Sequence, residues 1–292
     1  MVSPSEAPHP GGRDLTNQNG HEVVLQDAIA LLAAQTDDSV PLIIADPPYG
    51  IAYHSNHYKD KNPHAPVMND WNFQIGRFLL ECERVLVEGG ALYLFSRWDV
   101  SPLWVPAIPS TLTLKTVIVW VKNNWSAGDL TGCFGNQYEQ LLFIAKGRHL
   151  LRGKRWSNVW RFPRVSSTTM LHPTQKPVPL LERAIRSSSD EGDLVLDPFC
   201  GSGSTGEAAA NAKRRFLLGD IDPHMVNISR ARLGLSLLEL DDRQEVEYTD
   251  YRPTVPDAAS WGIHPEELRF VYDALAGNRE RILGQLCLEP AS

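Results

Sequence analysis

Asp46-Pro47-Pro48-Tyr49 is the stretch of this sequence best suited to carry chemistry. Two consecutive prolines each fix φ near about −65° and lack an N–H donor, so the backbone is stiff and its carbonyls need partners outside their own ladder. Beside them stand one carboxylate and one ring that we expect to be exposed. Two fixed acceptors and a flat stacking surface suit a planar group that carries an NH2. An ordinary proline-rich turn has the same composition, so the tetrapeptide alone does not decide.

A second candidate site lies far downstream. The apolar run 194–197 ends in Asp197 and is followed at once by a glycine-rich turn at 198–205. Glycines let a ligand approach the backbone, and the N-terminus of a following helix favours a carboxylate or a phosphate. The next apolar run ends in Asp220, nineteen residues after Gly201, which is the spacing of a carboxylate that binds ribose hydroxyls. Together these features predict a nucleotide-type cradle.

Both sites require a sheet whose strands end beside them. Apolar runs predict strands at 21–27, 42–46, 91–95, 116–121, 140–145, 194–197 and 216–220. Helical periodicity and stop signals predict helices at 28–34, 73–87, 178–188, 204–212 and 223–235. This alternation predicts an α/β fold with a doubly wound, mostly parallel sheet. We expect 116–121 and 140–145 to form an antiparallel edge, and Ser204 and Glu207 to form a capping box.

The two ends of the chain differ in composition from the middle. Residues 1–20 are rich in Pro, Gly, Ser and Asn, which predicts a disordered arm. Residues 21–235 form the predicted catalytic domain. Residues 236–292 contain twelve Asp or Glu against five Lys or Arg, and we interpret them as an acidic accessory segment. No apolar run is long enough for a membrane span and no signal-peptide core is present, so we expect a cytoplasmic protein.

The net charge of −7 hides one strongly basic stretch, since residues 140–181 contain eight Lys or Arg and no Asp or Glu. Most of these cations fall in 146–164, which we call the basic segment, and alternate there with Trp156, Trp160 and Phe162. A solvated surface loop normally mixes both signs, so this pattern favours contact with a phosphate backbone. The candidate residues for contact with a nucleic-acid backbone are Lys146, Arg148, Arg152, Lys154, Arg155, Arg161 and Arg164.

Metal binding and cysteine chemistry are not indicated. The four cysteines are scattered without a C-x-x-C pair, and the spacing of His54, His57 and His64 fits no standard ligand set. The long polar stretch 51–72 that contains these histidines is better interpreted as a lid that closes on substrate. Cys200, inside the glycine-rich turn, is expected to be a packing residue and not a nucleophile.

Three motifs in order carry a family resemblance: Asp46-Pro-Pro-Tyr49, then His172-Pro-Thr-Gln-Lys-Pro177, then Asp197-Pro-Phe-Cys-Gly-Ser-Gly203. Their order resembles the beta class of S-adenosylmethionine-dependent amino-DNA-methyltransferases, over about residues 21–235. The resemblance implies a Rossmann-like methyltransferase sheet of seven strands in permuted order. It also implies a small DNA-recognition insertion, which corresponds to 122–171, and we expect a helical C-terminal tail.

The resemblance also implies roles for single residues. Asp46 and the Pro47 carbonyl would hold the target amino group beside Pro48, with Tyr49 stacked on the flipped base, and Trp71 matches a position that is often aromatic. The residues placed around the cofactor are Asp27, Asp46, Thr174, Lys176, Asp197, Phe199, Gly201, Gly203, Ser204 and Asp220.

The implied reaction moves a methyl group from S-adenosylmethionine to N6 of adenine in double-stranded DNA after base flipping. Asp at the first position of the tetrapeptide favours adenine in this family, and N4 of cytosine is the alternative. A DNA-binding regulator without catalysis is a further alternative, although the acids at both sites are intact. Protein and RNA methyltransferases with a similar tetrapeptide usually have the reverse motif order. The resemblance leaves room for a homodimer and for a separate cognate restriction endonuclease in a prokaryotic or phage-encoded system.

Overall fold

The computed structural model of the protein describes residues 20–49, 73–125, 131–166 and 175–239, all within the first of its two units, Met1–Glu239. The strands are β1 (Glu22–Leu25), β2 (Val40–Ala45), β3 (Leu86–Ser96), β4 (Leu112–Val121), β5 (Tyr138–Lys146), β6 (Val159–Arg161), β7 (Leu194–Asp197) and β8 (Arg215–Asp220). The helices are α1 (Ala28–Ala33), α2 (Ile75–Val85), α3 (Ser101–Trp104), α4 (Val178–Ser188), α5 (Ser204–Asn211) and α6 (Pro223–Arg232), and a 3-10 turn at Val105–Ala107 follows α3.

The described strands pair into one sheet in the order β1-β8-β7-β2-β3-β5-β4-β6. Every neighbouring pair is parallel except β3–β5 and β4–β5, so β5 alone runs against the others. Because β2 and β7 are neighbours and the chain runs outward from them in both directions, they flank the topological switch point. In open α/β sheets the ligand crevice forms there, outside the carboxyl ends of the strands.

Helices cover both faces of the sheet, because the central strands are apolar on both sides. Along β2, Leu42 and Ile44 pack into the core on one face, with α4, α5 and α6. Ile43 and Ala45 alternate with them and pack into the core on the other face, with α1, α2 and α3. This arrangement confirms the predicted doubly wound α/β fold.

Two details of the sheet differ from the prediction. The described sheet has eight strands and not seven, because the three-residue β6 pairs with the end of β4; so short a run leaves no periodicity in the sequence. The predicted antiparallel pairing of 116–121 with 140–145 is confirmed by β4 and β5, but the short β6 and not this pair is the last strand of the described sheet. Because β5 is antiparallel to β3 and β4, its first residues lie at the side of the sheet where the parallel strands end.

Candidate functional site

Four acids lie at the carboxyl ends of four adjacent parallel strands. Asp220 ends β8 and Asp197 ends β7, while Asp46 follows β2 directly and Asp27 lies two residues beyond β1. The strand order β1-β8-β7-β2 therefore places Asp197 between Asp220 and Asp46. The negative charges of Asp46 and Asp220 both act on Asp197. The sequence-predicted catalytic loop and cofactor turn thus meet at one edge of the sheet.

Both carboxylate oxygens of Asp46 have partners. The hydroxyl of Tyr49 donates to Oδ1 at 2.8 Å, and the ammonium of Lys176 lies 2.6 Å from Oδ2. Lys176 reaches this position from the segment just before α4, and its ammonium also lies 4.9 Å from the centre of the Phe95 ring. The two sequence motifs that contain Asp46 and Lys176 therefore form one site.

Tyr49 is half-buried, which differs from the exposed ring that we expected. Its hydroxyl is held by Asp46, and its ring centre lies 5.8 Å from that of Trp104 in α3. Burial first, and then the charges of Asp46 and Glu139, raise the pKa of Tyr49 well above its ordinary value. The phenol therefore stays protonated and donates a hydrogen bond to Asp46 at neutral pH.

The side chains of Asp46, Lys176, Glu139 and Lys122 form a row of alternating charges, which we call the charge chain. Glu139 is the second residue of β5. Its Oε2 lies 3.2 Å from the Lys176 ammonium, and its Oε1 accepts a hydrogen bond from Lys122. Burial would raise the pKa of Glu139 and lower that of Lys176, but the opposite charges outweigh burial in both cases. The pKa of Glu139 is lowered and that of Lys176 is raised, so both side chains are charged at neutral pH.

The glycine-rich turn is shaped by two residues with positive φ. Gly201 has φ +47°, and a Cβ added to it would meet no atom within 4 Å. Gly203 has φ +78°, and a Cβ there would lie 3.0 Å from the Ser229 hydroxyl. Gly203 caps α5 without a side-chain hydrogen bond to the first turn. The turn therefore offers open space at Gly201 and backbone N–H groups at a helix N-terminus, which suit an approaching ligand.

Asp220 links this turn to the end of β8. Its Oδ2 accepts the N–H of Gly201 at 2.9 Å, and its Oδ1 accepts the N–H of Asp222 at 3.0 Å. Burial raises the pKa of Asp220 above its ordinary value, and these two backbone hydrogen bonds oppose that shift. Each oxygen keeps a further lone pair, so the carboxylate can still accept hydroxyl groups.

Asp197 holds the glycine-rich turn through hydrogen bonds. It is buried, and it accepts the N–H of Phe199 at 2.9 Å and the hydroxyl of Thr205. Burial is the largest cause that raises the pKa of Asp197 to about 7, and the charges of Asp46 and Asp220 add to it. Its observed partners belong to the turn itself, so Asp197 holds the backbone of the turn in place.

The raised pKa of Asp197 predicts a pH-dependent stability. An unfolded Asp loses its proton near its ordinary pKa of 3.8, whereas the native residue keeps it up to about 7. The native state then binds more protons than the unfolded state, so its stability falls as pH rises between these values. We expect the melting temperature of the wild type, relative to Asp197→Asn, to fall as pH rises from about 4 to about 7. A difference that stays constant with pH would contradict this prediction.

Three other residues predicted around the cofactor make different contacts. Phe199 packs its ring against Phe73 and Phe78, with ring centres 5.3 and 5.5 Å away. Asp27 uses Oδ1 to cap α1, where it accepts two backbone N–H groups at 2.9 and 3.1 Å. Ser204 is buried, and its hydroxyl accepts from Arg232 at 3.0 Å. The Ser204 side chain is therefore engaged inside the fold, and only its backbone is placed to face a ligand.

The predicted capping box at Ser204 and Glu207 is wrong. Gly203 caps the helix through its left-handed backbone, and no side chain donates or accepts at this cap. Glu207 instead lies 2.7 Å from the Arg232 guanidinium of α6. Glu207 does not reach the cap of α5 because it forms this ion pair with α6.

Cys200 is buried in the same turn, 3.6 Å from the hydroxyl of Ser229. Burial is the first cause that raises the pKa of the Cys200 thiol well above its ordinary value, and the charges of Asp220 and Asp197 add to it. A protonated, buried thiol is a poor nucleophile. These contacts agree with a packing role.

The structure divides the basic segment between two opposite edges of the sheet. Lys146 ends β5 at the amino-terminal edge, where its ammonium binds Asp38 at 2.7 Å. Arg152 lies near the end of α4 and pairs with Asp190 at 3.1 Å. The backbone of Arg148 donates to Glu88 near the start of β3. These three residues are therefore far from the edge that carries Asp46, because β5 runs against the other strands.

The later part of the segment returns to the side of the sheet that carries Asp46, at the carboxyl ends of the parallel strands, which we call the catalytic edge. Arg161 ends β6 beside the last residue of β4, and the backbone of Arg164 donates to Asn123 just beyond β4. Both side chains are exposed, as are those of Lys154 and Arg155 in the loop before β6.

The aromatic residues of the basic segment pack around one arginine of α4. The guanidinium of Arg183 in α4 lies 4.5 Å from the ring centre of Trp156, 5.5 Å from that of Trp160 and 4.3 Å from that of Phe162. These rings fasten the basic segment to α4, which the alternation of cations and rings did not predict. Trp156 is nevertheless 44% exposed, and further exposed rings occur in the segment between β4 and β5, where Trp125 is 67% exposed and Phe134 is 97% exposed.

Some predicted positions lie outside the described residues, namely Thr174, Trp71 and the histidines His54, His57 and His64. Across the described ranges, no group of three His, Cys, Asp or Glu side chains is arranged to hold a metal ion. None of the helices in these ranges has the length and hydrophobicity that a membrane crossing requires.

The sequence reasoning missed Glu139 and Lys122 as parts of the site. Glu139 stands at the beginning of a strand that looked like any other buried run. The available signal was a lone acid close to the start of a strand that was expected to be antiparallel. The first residues of such a strand lie beside the ends of its parallel neighbours.

Comparisons with known proteins agree with this geometry. Residues 40–231 match the model of the N6/N4 methyltransferase family, described as "DNA methylase". The DNA adenine methyltransferase YhdJ of Escherichia coli (strain K12) is 30% identical over 248 residues, which cover 73% of this chain and 83% of that protein.

Two solved structures share the fold. A complex of M1.HpyAVI with SAM has a TM-score of 0.56 at 21% identity and covers 73% of this chain and 99% of its own. The cytosine-N4-specific PvuII DNA methyltransferase has a TM-score of 0.59 at 14% identity and covers 91% and 96%. The family match spans the strands that carry Asp46, Asp197 and Asp220, and the chain belongs to the N6/N4 family of DNA methylases.

Proposed function

We propose that this DNA methylase transfers a methyl group from S-adenosylmethionine to N6 of adenine in double-stranded DNA. The observation that carries the proposal is the meeting of the Asp46 loop and the glycine-rich turn at one edge of the sheet, on neighbouring strands β2 and β7. The Asp46 loop supplies acceptors for an amino group, and the turn supplies a cradle for the methyl donor.

The residues of the turn fit S-adenosylmethionine. Asp220 is the carboxylate for the ribose hydroxyls, and Gly201 leaves room where a side chain would block the ligand. The N-terminus of α5, which has no side-chain cap, faces the polar part of the ligand. Asp27 stands beside Asp220 at the adenine end, since Leu25 of β1 pairs with Asp220. When bound, the ligand supplies an electrophilic methyl carbon on a sulfonium.

The chain's own residues prepare the target nitrogen. An exocyclic amine is a poor nucleophile because its lone pair is delocalised into the ring. Asp46 and the Pro47 carbonyl accept its two hydrogens and favour a more pyramidal nitrogen. As the nitrogen gains a methyl group it must lose a proton, and the Asp46 carboxylate is placed to accept it. Positioning and charge placement then account for most of the acceleration.

Tyr49 holds the acceptor as well as the base. Its hydroxyl fixes Oδ1 of Asp46 at 2.8 Å, and Trp104 supports its ring from behind. An incoming base stacks on the accessible part of the half-buried Tyr49 ring, and this contact offsets part of the cost of flipping the base out of the duplex.

Two observations favour adenine over cytosine. The first position of the tetrapeptide is Asp46, which is commoner in the adenine enzymes of this family, and the 30% identical relative is a DNA adenine methyltransferase. N4 of cytosine remains the second candidate, because the cytosine-N4-specific PvuII enzyme has the same fold.

The DNA surface lies on the catalytic edge. Arg161 and Arg164 supply exposed positive charge there, while Trp125 and Phe134 supply exposed rings that can stack on bases. Lys154 and Arg155 extend the same surface. The proposed DNA surface does not include Lys146, Arg148 and Arg152, because they lie at the opposite edge of the sheet.

Removing the two arginines should weaken DNA binding in a salt-dependent way. We expect Arg161→Ala/Arg164→Ala to reduce the slope of log affinity against log salt by about 2, about one unit for each lost phosphate contact. Arg148→Ala/Arg152→Ala removes the same two charges at the opposite edge and should leave the slope unchanged. Fluorescence anisotropy with a labelled duplex at several salt concentrations measures both. Equal effects from the two edges would contradict the proposed surface.

The biological setting follows from the proposed reaction. A DNA methyltransferase of this family acts in the cytoplasm of a prokaryotic or phage-infected cell. A separate restriction endonuclease that reads the same site, and a second copy of this chain, are the proposed partners.

Nucleoside analysis tests the proposed reaction and base together. Unmodified DNA is incubated with the purified chain and S-adenosylmethionine, digested to nucleosides and examined by mass spectrometry. We expect N6-methyldeoxyadenosine. N4-methyldeoxycytidine would replace the adenine assignment by the second candidate, and the absence of any methylated nucleoside would refute the reaction.

A further inference from the structure

We infer that Glu139 is a positioning residue for the proposed reaction, and that it acts through Lys176 on the acceptor Asp46. The inference rests on the proposed function and adds a residue to its site. Neither the tetrapeptide nor the glycine-rich turn contains Glu139, which stands on the one strand that runs against the others.

The contacts form one chain of alternating charges. Asp46 Oδ2 lies 2.6 Å from the Lys176 ammonium, which lies 3.2 Å from Glu139 Oε2. Lys122 binds the other oxygen of Glu139. The side chains of Lys176 and Glu139 are only 11% and 18% exposed, so water screens these charges weakly. The Lys176 ammonium is thus shared between two carboxylates.

This sharing matters because the target nitrogen gains positive charge as it is methylated. The negative charge of Asp46 stabilises that change, whereas an ammonium paired with Asp46 alone would oppose it. Glu139 offsets the ammonium and holds it at a fixed place beside Oδ2. Asp46 therefore keeps its orientation and remains an acceptor for the target amine.

The position of Glu139 follows from the fold. Gln140 pairs with Ser96 at the end of β3, and Tyr138 pairs with Val121 at the end of β4. Glu139 therefore enters the catalytic edge from the beginning of β5. Lys122 directly follows β4, and its backbone N–H donates to the carbonyl of Gln137 at 2.8 Å. The backbone pairing of β4 with β5 thus fixes Lys122, the last residue of the charge chain.

Kinetics of Glu139→Gln test the inference. We expect kcat for methyl transfer to fall by about 10- to 100-fold, the size of loss that slight misplacement of a reacting group causes. KM for DNA and Kd for S-adenosylmethionine should stay within about threefold of wild type. Glu81→Gln is the matched control, since Glu81 also forms a half-buried ion pair, with Arg84 at 2.7 Å. Glu81→Gln should leave kcat unchanged.

A double-mutant cycle shows whether Glu139 acts through Lys176. Glu139→Gln in a Lys176→Met background should lower kcat by less than about threefold, because the group through which Glu139 acts is gone. Independent, multiplying losses in the double variant would overturn the inference, as would a wild-type rate for Glu139→Gln. Circular dichroism spectra and melting curves like those of the wild type show that each variant is folded, and Glu139→Asp replaces Glu139→Gln if that variant does not fold. An inactive wild type would refute the proposed function itself.

Discussion

Asp46→Asn should lower kcat for methyl transfer by about 1000-fold or more, the loss that accompanies removal of a preorganised group at the reacting centre. The substitution keeps the shape of the side chain but removes its negative charge. The target nitrogen then loses the charge that stabilises it as it becomes methylated, and it loses the acceptor for its proton. Tritium transfer from labelled S-adenosylmethionine to DNA measures the rate.

The chain offers a closely matched control for this substitution. Asp38 also pairs with a lysine, since its Oδ1 lies 2.7 Å from the Lys146 ammonium. This second Asp–Lys pair lies at the opposite edge of the sheet, so Asp38→Asn should keep the wild-type rate. Binding of S-adenosylmethionine to Asp46→Asn should be nearly unchanged. A rate for Asp46→Asn near that of Asp38→Asn would rule out Asp46 as the acceptor.

Asp220→Ala should weaken S-adenosylmethionine binding by about 100-fold or more. Two hydroxyl groups would lose a charged acceptor, and each hydrogen bond to a charged group contributes about 1.5–3 kcal/mol. The N–H groups of Gly201 and Asp222 would also lose the carboxylate that fixes the turn. Isothermal titration calorimetry measures the dissociation constant directly.

Asp193→Ala is the comparison for this second substitution. Asp193 also accepts a backbone N–H, that of Asp190 at 2.7 Å, but it precedes β7 and so lies at the amino-terminal edge. We expect its ligand affinity to equal that of the wild type. If Asp220→Ala bound S-adenosylmethionine as tightly as Asp193→Ala does, Asp220 would not be part of the cradle.

The acids at the strand ends were predictable because the signal for each is local. A buried apolar run predicts a strand, and an acid at its end is placed by the strand itself; Asp197 and Asp220 are the last residues of β7 and β8. That Asp46 and Asp197 lie at the ends of neighbouring strands could be expected only from the family resemblance, because about half of the chain lies between β2 and β7.

The contributions of β5 depended on its place between β3 and β4, which the sequence does not specify. The same strand brings Glu139 to the catalytic edge and carries Lys146 to the opposite one. A count of cations along 146–164 treats both ends alike, so it grouped Lys146 with Arg161. The ion pair between Glu207 and Arg232 likewise joins two helices that local patterns describe separately.

A crystal structure with bound S-adenosylmethionine is the most direct test that one crevice holds both the methyl donor and the target amine. We predict that the ribose lies against Asp220 and that the methyl group points towards Asp46, across the ends of β7 and β2. A ligand bound away from the glycine-rich turn, or with its methyl group facing away from Asp46, would contradict the mechanism.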